Sequence, residues 1–122
     1  RGAASIAKGR SDFLELGNIE IERDWGYAPD YVQGMWLMLQ QKTPSDYVLA
    51  TGITHKLSEF LEIAFQYFGL DYQKYVRVNQ KFIRPNEPQK LCGDSTKAQK
   101  FLNWKPSISF TELIHQMCKS VK

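Results

Sequence analysis

A chain of 122 residues, 43% apolar and 13% aromatic, is long enough for one domain with a modest core and too apolar to stay disordered. Its net charge of +3 is mild and its lysines are scattered, so it carries no nucleic-acid signature. No apolar run reaches membrane-spanning length, and the N-terminus has no signal-peptide core.

Residues 1–8 are Ala-rich and predict the end of a helix stopped by Gly9. The start at Arg1, without Met and in what reads as mid-helix, is expected of a fragment of a longer protein. Residues 13–16 predict a short strand, and 19–23 alternate as a half-exposed strand or extended loop. Pro29 suits the first turn of a helix running to about residue 41. Tyr31, Val32, Met35, Trp36, Leu37, Met38 and Leu39 cover most of its circumference, which predicts burial on more than one side.

Residues 47–50 form a β-type run. The cleanest helix follows: Leu57, Phe60, Leu61, Ala64, Phe65 and Phe68 keep one face, and Gly69 ends it. Residues 75–78 alternate as a strand. Residues 81–91 predict a loop, because Pro85 and Pro88 forbid regular pairing. Asp94 is the expected N-cap of a helix to residue 102. Ser109 and Glu112 form a capping box for a last helix carrying Leu113, Ile114, Met117, Cys118 and Val121.

Candidate chemistry is concentrated in a few polar side chains. Arg23 stands at the end of an expected strand. A guanidinium gives two parallel hydrogen bonds to phosphate oxygens and keeps its charge. The competing reading is a surface salt bridge to Glu20, Glu22 or Asp24. Arg84 and Glu87 lie three apart in a loop stiffened by Pro85 and Pro88, which partly presets their heads. Their competing reading is an i, i+3 surface ion pair. Asn18 is a turn residue or part of a ligand-lining segment.

His55 and His115 have no carboxylate or nucleophile at a telling spacing and read as helix-end or surface residues. Cys92 and Cys118 form no CxxC pair, so no zinc site is expected. Both suit a reducing cytoplasm as small buried apolar groups.

Three motifs stand in order: Leu16-Gly17-Asn18 leading to Arg23-Asp24-Trp25-Gly26, then Arg84-Pro85-Asn86-Glu87, then Gly93-Asp94-Ser95-Thr96-Lys97-Ala98 closed by Leu102-Asn103-Trp104-Lys105-Pro106. Together they resemble the C-terminal, substrate-binding half of the GDP-mannose 4,6-dehydratase family, in the extended short-chain dehydrogenase/reductase superfamily. The resemblance covers nearly the whole chain. It implies an α/β C-terminal substrate-binding domain over residues 1–122, with several helices and short strands and the Rossmann half absent.

The same resemblance implies that Arg23 reaches a ligand diphosphate. Arg84 takes phosphate and Glu87 accepts from ribose hydroxyls, while the segment around Asn18 lies along the nucleotide base. The stretch from Gly93 to Pro106 is read as structural, with Lys97 and Ala98 packing and Trp104 plugging the core. Departures from the family pattern are Lys56 in place of a capping Ser, Lys81-Phe82-Ile83 for Arg-Tyr-Phe, and Pro88-Gln89 for Val-Asp or Val-Glu.

Hydride chemistry needs a dinucleotide at a glycine-rich βαβ turn. No two glycines here are closer than seven positions, and none of the six tyrosines is followed by lysine at the fourth residue. The family's Thr-x-Glu is missing too. The chain alone is therefore expected to have no turnover. The implied parent would convert GDP-mannose to GDP-4-keto-6-deoxymannose with NADP, on the way to fucose and other deoxyhexoses.

The expected partners are GDP-mannose, the missing N-terminal Rossmann half and further copies of the chain. Self-association is expected through a patch of Tyr31, Met35, Trp36 and Met38, with exchange of the segment before Asp46. No nucleic acid or membrane partner is expected, and the expected location is the cytoplasm. Two alternatives stay open: another nucleotide-sugar epimerase or reductase, and a non-catalytic nucleotide-sugar-binding or assembly module.

Overall fold

The structure is a computed structural model, described over residues 1–121. In chain order it has α1 (Gly2–Ala7), β1 (Leu14–Leu16), β2 (Glu22–Asp24), α2 (Ala28–Leu39), β3 (Thr54–Lys56), α3 (Leu57–Tyr67), α4 (Tyr72–Tyr75), β4 (Val76–Val78), a 3-10 turn (Gln80–Phe82), β5 (Lys90–Leu91), α5 (Thr96–Leu102) and α6 (Phe110–Lys119). The strands form two small sheets. β1 pairs in parallel with β4. β2 lies between antiparallel β3 and parallel β5.

The helical core follows from apolar periodicity. α3 buries Leu61, Ala64 and Phe65, and stops where Gly69 adopts a φ of +72°. Phe65 is 1% exposed and packs with Ala3, Ile6 and Leu61, framed by residues of β1 and β4. α6 brings Ile114 and Cys118 against Ala64. Its capping box is complete: Ser109 accepts from the Glu112 amide, and the Glu112 carboxylate accepts from the Ser109 amide. Lys56, the N-cap of α3, makes no side-chain cap.

A second cluster surrounds Trp104, buried with Ala98 and Leu102. The Trp104 indole donates to the Asp30 carbonyl at 2.7 Å. The Asp30 carboxylate, itself buried, accepts from the Ser107 amide and hydroxyl. This ties the start of α2 to the segment after α5.

Several expectations are corrected. Residues 47–50 join no strand. Tyr47 and Leu49 turn onto the Trp104 cluster instead. Tyr75 ends α4 rather than opening β4. Lys90 and Leu91, expected in the loop, pair with β2, since the chain is free to pair once past Pro88. The N-cap of α5 is Ser95, while Asp94 accepts from the Thr96 amide and hydroxyl one residue earlier. Cys92 is exposed and only Cys118 is buried. Met117, on the expected apolar face of α6, is half exposed.

α2 is the main departure. It buries only Asp30 and Gly34, and leaves Val32, Met35, Trp36 and Leu39 between 57% and 81% exposed. Tyr31 and Met38, expected in the open patch, tuck against the Trp104 cluster.

Candidate functional site

β2 and the loop between β4 and β5 form one polar unit. Side chains alternate across a strand, so Arg23 stands apart from its neighbours Glu22 and Asp24. The Arg23 guanidinium donates through Nη1 to the carbonyls of Glu22 and Pro88, at 2.7 and 3.0 Å. Through Nη2 it meets the Glu87 carboxylate at 3.0 Å. Three of the five guanidinium N–H groups are thereby used, and the others stay available. The expected ion pairs of Arg23 with Glu20, Glu22 or Asp24 are replaced by this one with Glu87, 64 residues away.

Arg84 makes no ion pair with Glu87. It is exposed and makes no ion pair among the described residues. Asn86 sits at the loop tip with a φ of +60°, a left-handed turn that asparagine tolerates. The loop is held at both ends. On one side the Asn79 amide donates to the Leu16 carbonyl and its side chain to Glu15. There Gly17 meets the loop backbone so closely that an added Cβ would lie 2.4 Å from the Phe82 oxygen. On the other side the Glu22 amide donates to the Gln89 carbonyl at 2.8 Å, and the Gln89 carboxamide donates to the Glu20 carbonyl at 2.7 Å. Asn18 closes a turn by accepting from the Glu20 amide.

Asp24 anchors the far end of β2. Its carboxylate accepts from the Thr51 amide and hydroxyl and from the Gly52 and Gly93 amides. Burial works to raise its pKa, but the bonds from Thr51, Gly52 and Gly93 outweigh burial and hold it below the ordinary aspartate value. Beside it, Glu22 accepts from the Thr54 hydroxyl and pairs with Lys90 at 3.3 Å.

The structure thus brings Arg23 and Glu87 into contact and sets Arg84 free on the same loop. It places Asn18 on the neighbouring stretch. The sequence reading missed Gly17, Asp24 and Gln89 as the parts that hold this unit. Asp24 was visible as the neighbour of Arg23, and Gln89 only as a departure from the expected loop pattern, with nothing local to show what it bonds.

A separate cleft of about 540 Å³ is lined by Trp25, Tyr27, His55, Glu59 and Phe110, among others. The His55 ring stacks on Phe110 at 3.9 Å, and its Nδ1 lies 2.8 Å from Glu59. The Trp25 indole nitrogen is buried there without a hydrogen-bond partner. None of Asn18, Arg23, Arg84 and Glu87 lines this cleft. Among the described residues no cluster of His, Cys, Asp and Glu could hold a metal ion, and no helix is long and apolar enough to cross a membrane.

A family model for GDP-mannose 4,6 dehydratase matches residues 1–117. GDP-mannose 4,6 dehydratase 2 of Arabidopsis thaliana is 46% identical over 117 residues, covering 96% of this chain and 31% of that protein. The Drosophila melanogaster and Homo sapiens GDP-mannose 4,6 dehydratases are 42% and 40% identical, over 98% and 96% of this chain. The chain spans about a third of the length of these relatives: 31%, 35% and 36%.

Among solved structures, RMD from Pseudomonas aeruginosa complexed with NADPH superposes with a TM-score of 0.86 at 18% identity, over 98% of this chain and 39% of that one. DesIV, a dTDP-glucose 4,6-dehydratase from Streptomyces venezuelae with NAD and TYD bound, gives a TM-score of 0.80 at 21% identity, over 96% and 35%. At these identities the likeness is one of fold alone.

Proposed function

This chain belongs to the GDP-mannose 4,6-dehydratase family, and on that premise we propose that it is the substrate-binding portion of such an enzyme. The intact protein would convert GDP-mannose to GDP-4-keto-6-deoxymannose with NADP, and these residues would hold the GDP part and position the sugar. Family membership is supported by the match over residues 1–117. The observation that carries the site is the joining of β2 to the 84–89 loop, with Arg23 held on Glu87 and Arg84 left open.

In this reading Arg84 supplies the charge for the diphosphate. Arg23 adds its two uncommitted N–H donors, and Glu87 keeps an oxygen for ribose hydroxyls. Asn18 and its neighbours lie along the base. Such contacts orient the substrate, and binding energy spent on orientation lowers the barrier to reaction.

NADP supplies hydride chemistry when bound. The residues present do not fit its diphosphate, because the glycines stand singly and the Gly52 and Gly93 amides are already committed to Asp24. No hydride step is assigned to this chain, and the cofactor is placed on the Rossmann half of the parent. Self-association through the open face of α2, and a cytoplasmic location, belong to the same proposal. Light scattering across a dilution series tests the first: a monomeric mass at high concentration would refute it.

The site is tested by following backbone amides of the chain during titration with GDP and with UDP. Shifts are expected at residues 16–24 and 82–91, larger for GDP. No response in those two stretches would overturn the assignment. Purified chain supplied with GDP-mannose and NADP is expected to form no product, and product formation would overturn the division of roles.

A further inference from the structure

The Gln89 side chain serves its place in the structure as a hydrogen-bond donor. Its carboxamide Nε2 donates to the Glu20 carbonyl at 2.7 Å, and that carbonyl only accepts. A carboxylate there would set two acceptors against each other. The backbone of the same residue accepts from the Glu22 amide at 2.8 Å. Gln89 therefore grips the 20–22 stretch from both its side chain and its main chain. The adjoining Pro88 carbonyl and Glu87 carboxylate are both held by Arg23, at 3.0 Å each.

These four bonds fall on three successive loop residues; three of them land on β2, a strand only three residues long, and the fourth on Glu20 just before it. Pro85 and the left-handed Asn86 connect these residues to Arg84, whose side chain makes no ion pair among the described residues. Fixing one end of a short stiff loop reduces the freedom that a ligand must remove on binding.

We propose that the Gln89 carboxamide is a positioning residue that clamps the 84–89 loop onto the Glu20 turn leading into β2 and so presets Arg84 and Glu87 for a nucleoside diphosphate. The proposal rests on the site reading given above and adds the residue that keeps the site formed before ligand arrives. Gln89 touches no ligand in this account.

The test compares the unaltered chain with Gln89→Glu, which keeps shape and removes the donor, and with Gln89→Leu. Amide hydrogen exchange reads the clamp without ligand. The Glu22 amide should exchange about fivefold faster in both variants, the scale of one net hydrogen bond. Titration with GDP reads the consequence, and affinity should fall about fivefold in both.

A pH series separates positioning from general weakening. Below the ordinary glutamate pKa of about 4.3 the side chain of Gln89→Glu regains an O–H donor. Its deficit against the unaltered chain at the same pH should then close, while that of Gln89→Leu persists. Unchanged exchange at Glu22 would overturn the clamp. Faster exchange with unchanged GDP affinity would overturn its role in presetting the site. If the unaltered chain binds no GDP while Glu22 exchange still responds, the site assignment falls and takes the proposed purpose of the clamp with it.

Discussion

α3 and α6 meet through Phe65, Ala64, Ile114 and Cys118, all buried and apolar. β2 and the 84–89 loop meet through Arg23, Glu87 and the Gln89 backbone, joined by hydrogen bonds between partly exposed polar groups. The first region gains its stability from area removed from water, so each lost methylene is felt. The second gains little net stability per contact. Its bonds instead fix where charges stand, which is what recognition of a diphosphate requires. Changes in the helical region should therefore appear in stability, and changes in the loop region in binding.

The sharpest separation comes from Phe65→Ala. Phe65 is 1% exposed between α1, α3 and β4, and its removal should cost about 3–5 kcal/mol of unfolding free energy. Urea unfolding would measure it. A cost near 1 kcal/mol would mean that the small core around α3 can collapse onto the gap, and the contrast drawn here would weaken.

Arg84→Ala probes the other side. Loss of a charge-assisted phosphate contact should weaken GDP binding by about 1.5–3 kcal/mol. Because Arg84 is exposed and makes no ion pair among the described residues, stability should change by less than about 0.5 kcal/mol. In the intact enzyme KM should rise, with kcat largely kept if the contact is equal in ground and transition states. Titration calorimetry showing unchanged affinity would remove Arg84 from the site. Ser109→Ala is a smaller change on the helical side: loss of the α6 cap should lower stability by about 1 kcal/mol and leave GDP affinity alone.

Legibility in the sequence divided along the same line. The face of α3, the capping box of α6, the missing cap at Lys56 and the plug at Trp104 are local patterns. Periodicity and cap chemistry express them within a dozen residues. The three motifs exposed Arg23, Arg84 and Glu87 as candidates, but not which of them touch. Arg84 and Glu87 lie three apart yet do not pair, whereas Arg23 reaches Glu87 across 64 residues because β5 runs parallel to β2. Spacing along the chain carries no information about such a return. Asp30 was hidden for a similar reason, since its partner Ser107 lies 77 residues on. The 47–50 run shows the converse: β-type residues predict an extended backbone, but pairing needs a neighbour that no local pattern supplies.

The smallest expected effect concerns acid. Asp24 works against burial but is held below its ordinary pKa by Thr51, Gly52 and Gly93. A carboxyl whose pKa is lower in the folded than in the unfolded chain stabilises the fold above the unfolded value. That stabilisation is lost as pH falls through the folded value. Asp24→Asn places an NH2 group where the Gly52 and Gly93 amides need an acceptor, so the variant should be less stable near neutral pH. As pH falls below the unfolded aspartate pKa of about 3.9, the unaltered chain loses its advantage and the two should converge. The deficit of Phe65→Ala involves no titrating group and should stay constant across the same series. Urea unfolding of all three proteins over that range decides the matter. A constant gap for Asp24→Asn would mean that Asp24 does not hold β2 through its charge, and the polar region would then be no more sensitive to acid than the core.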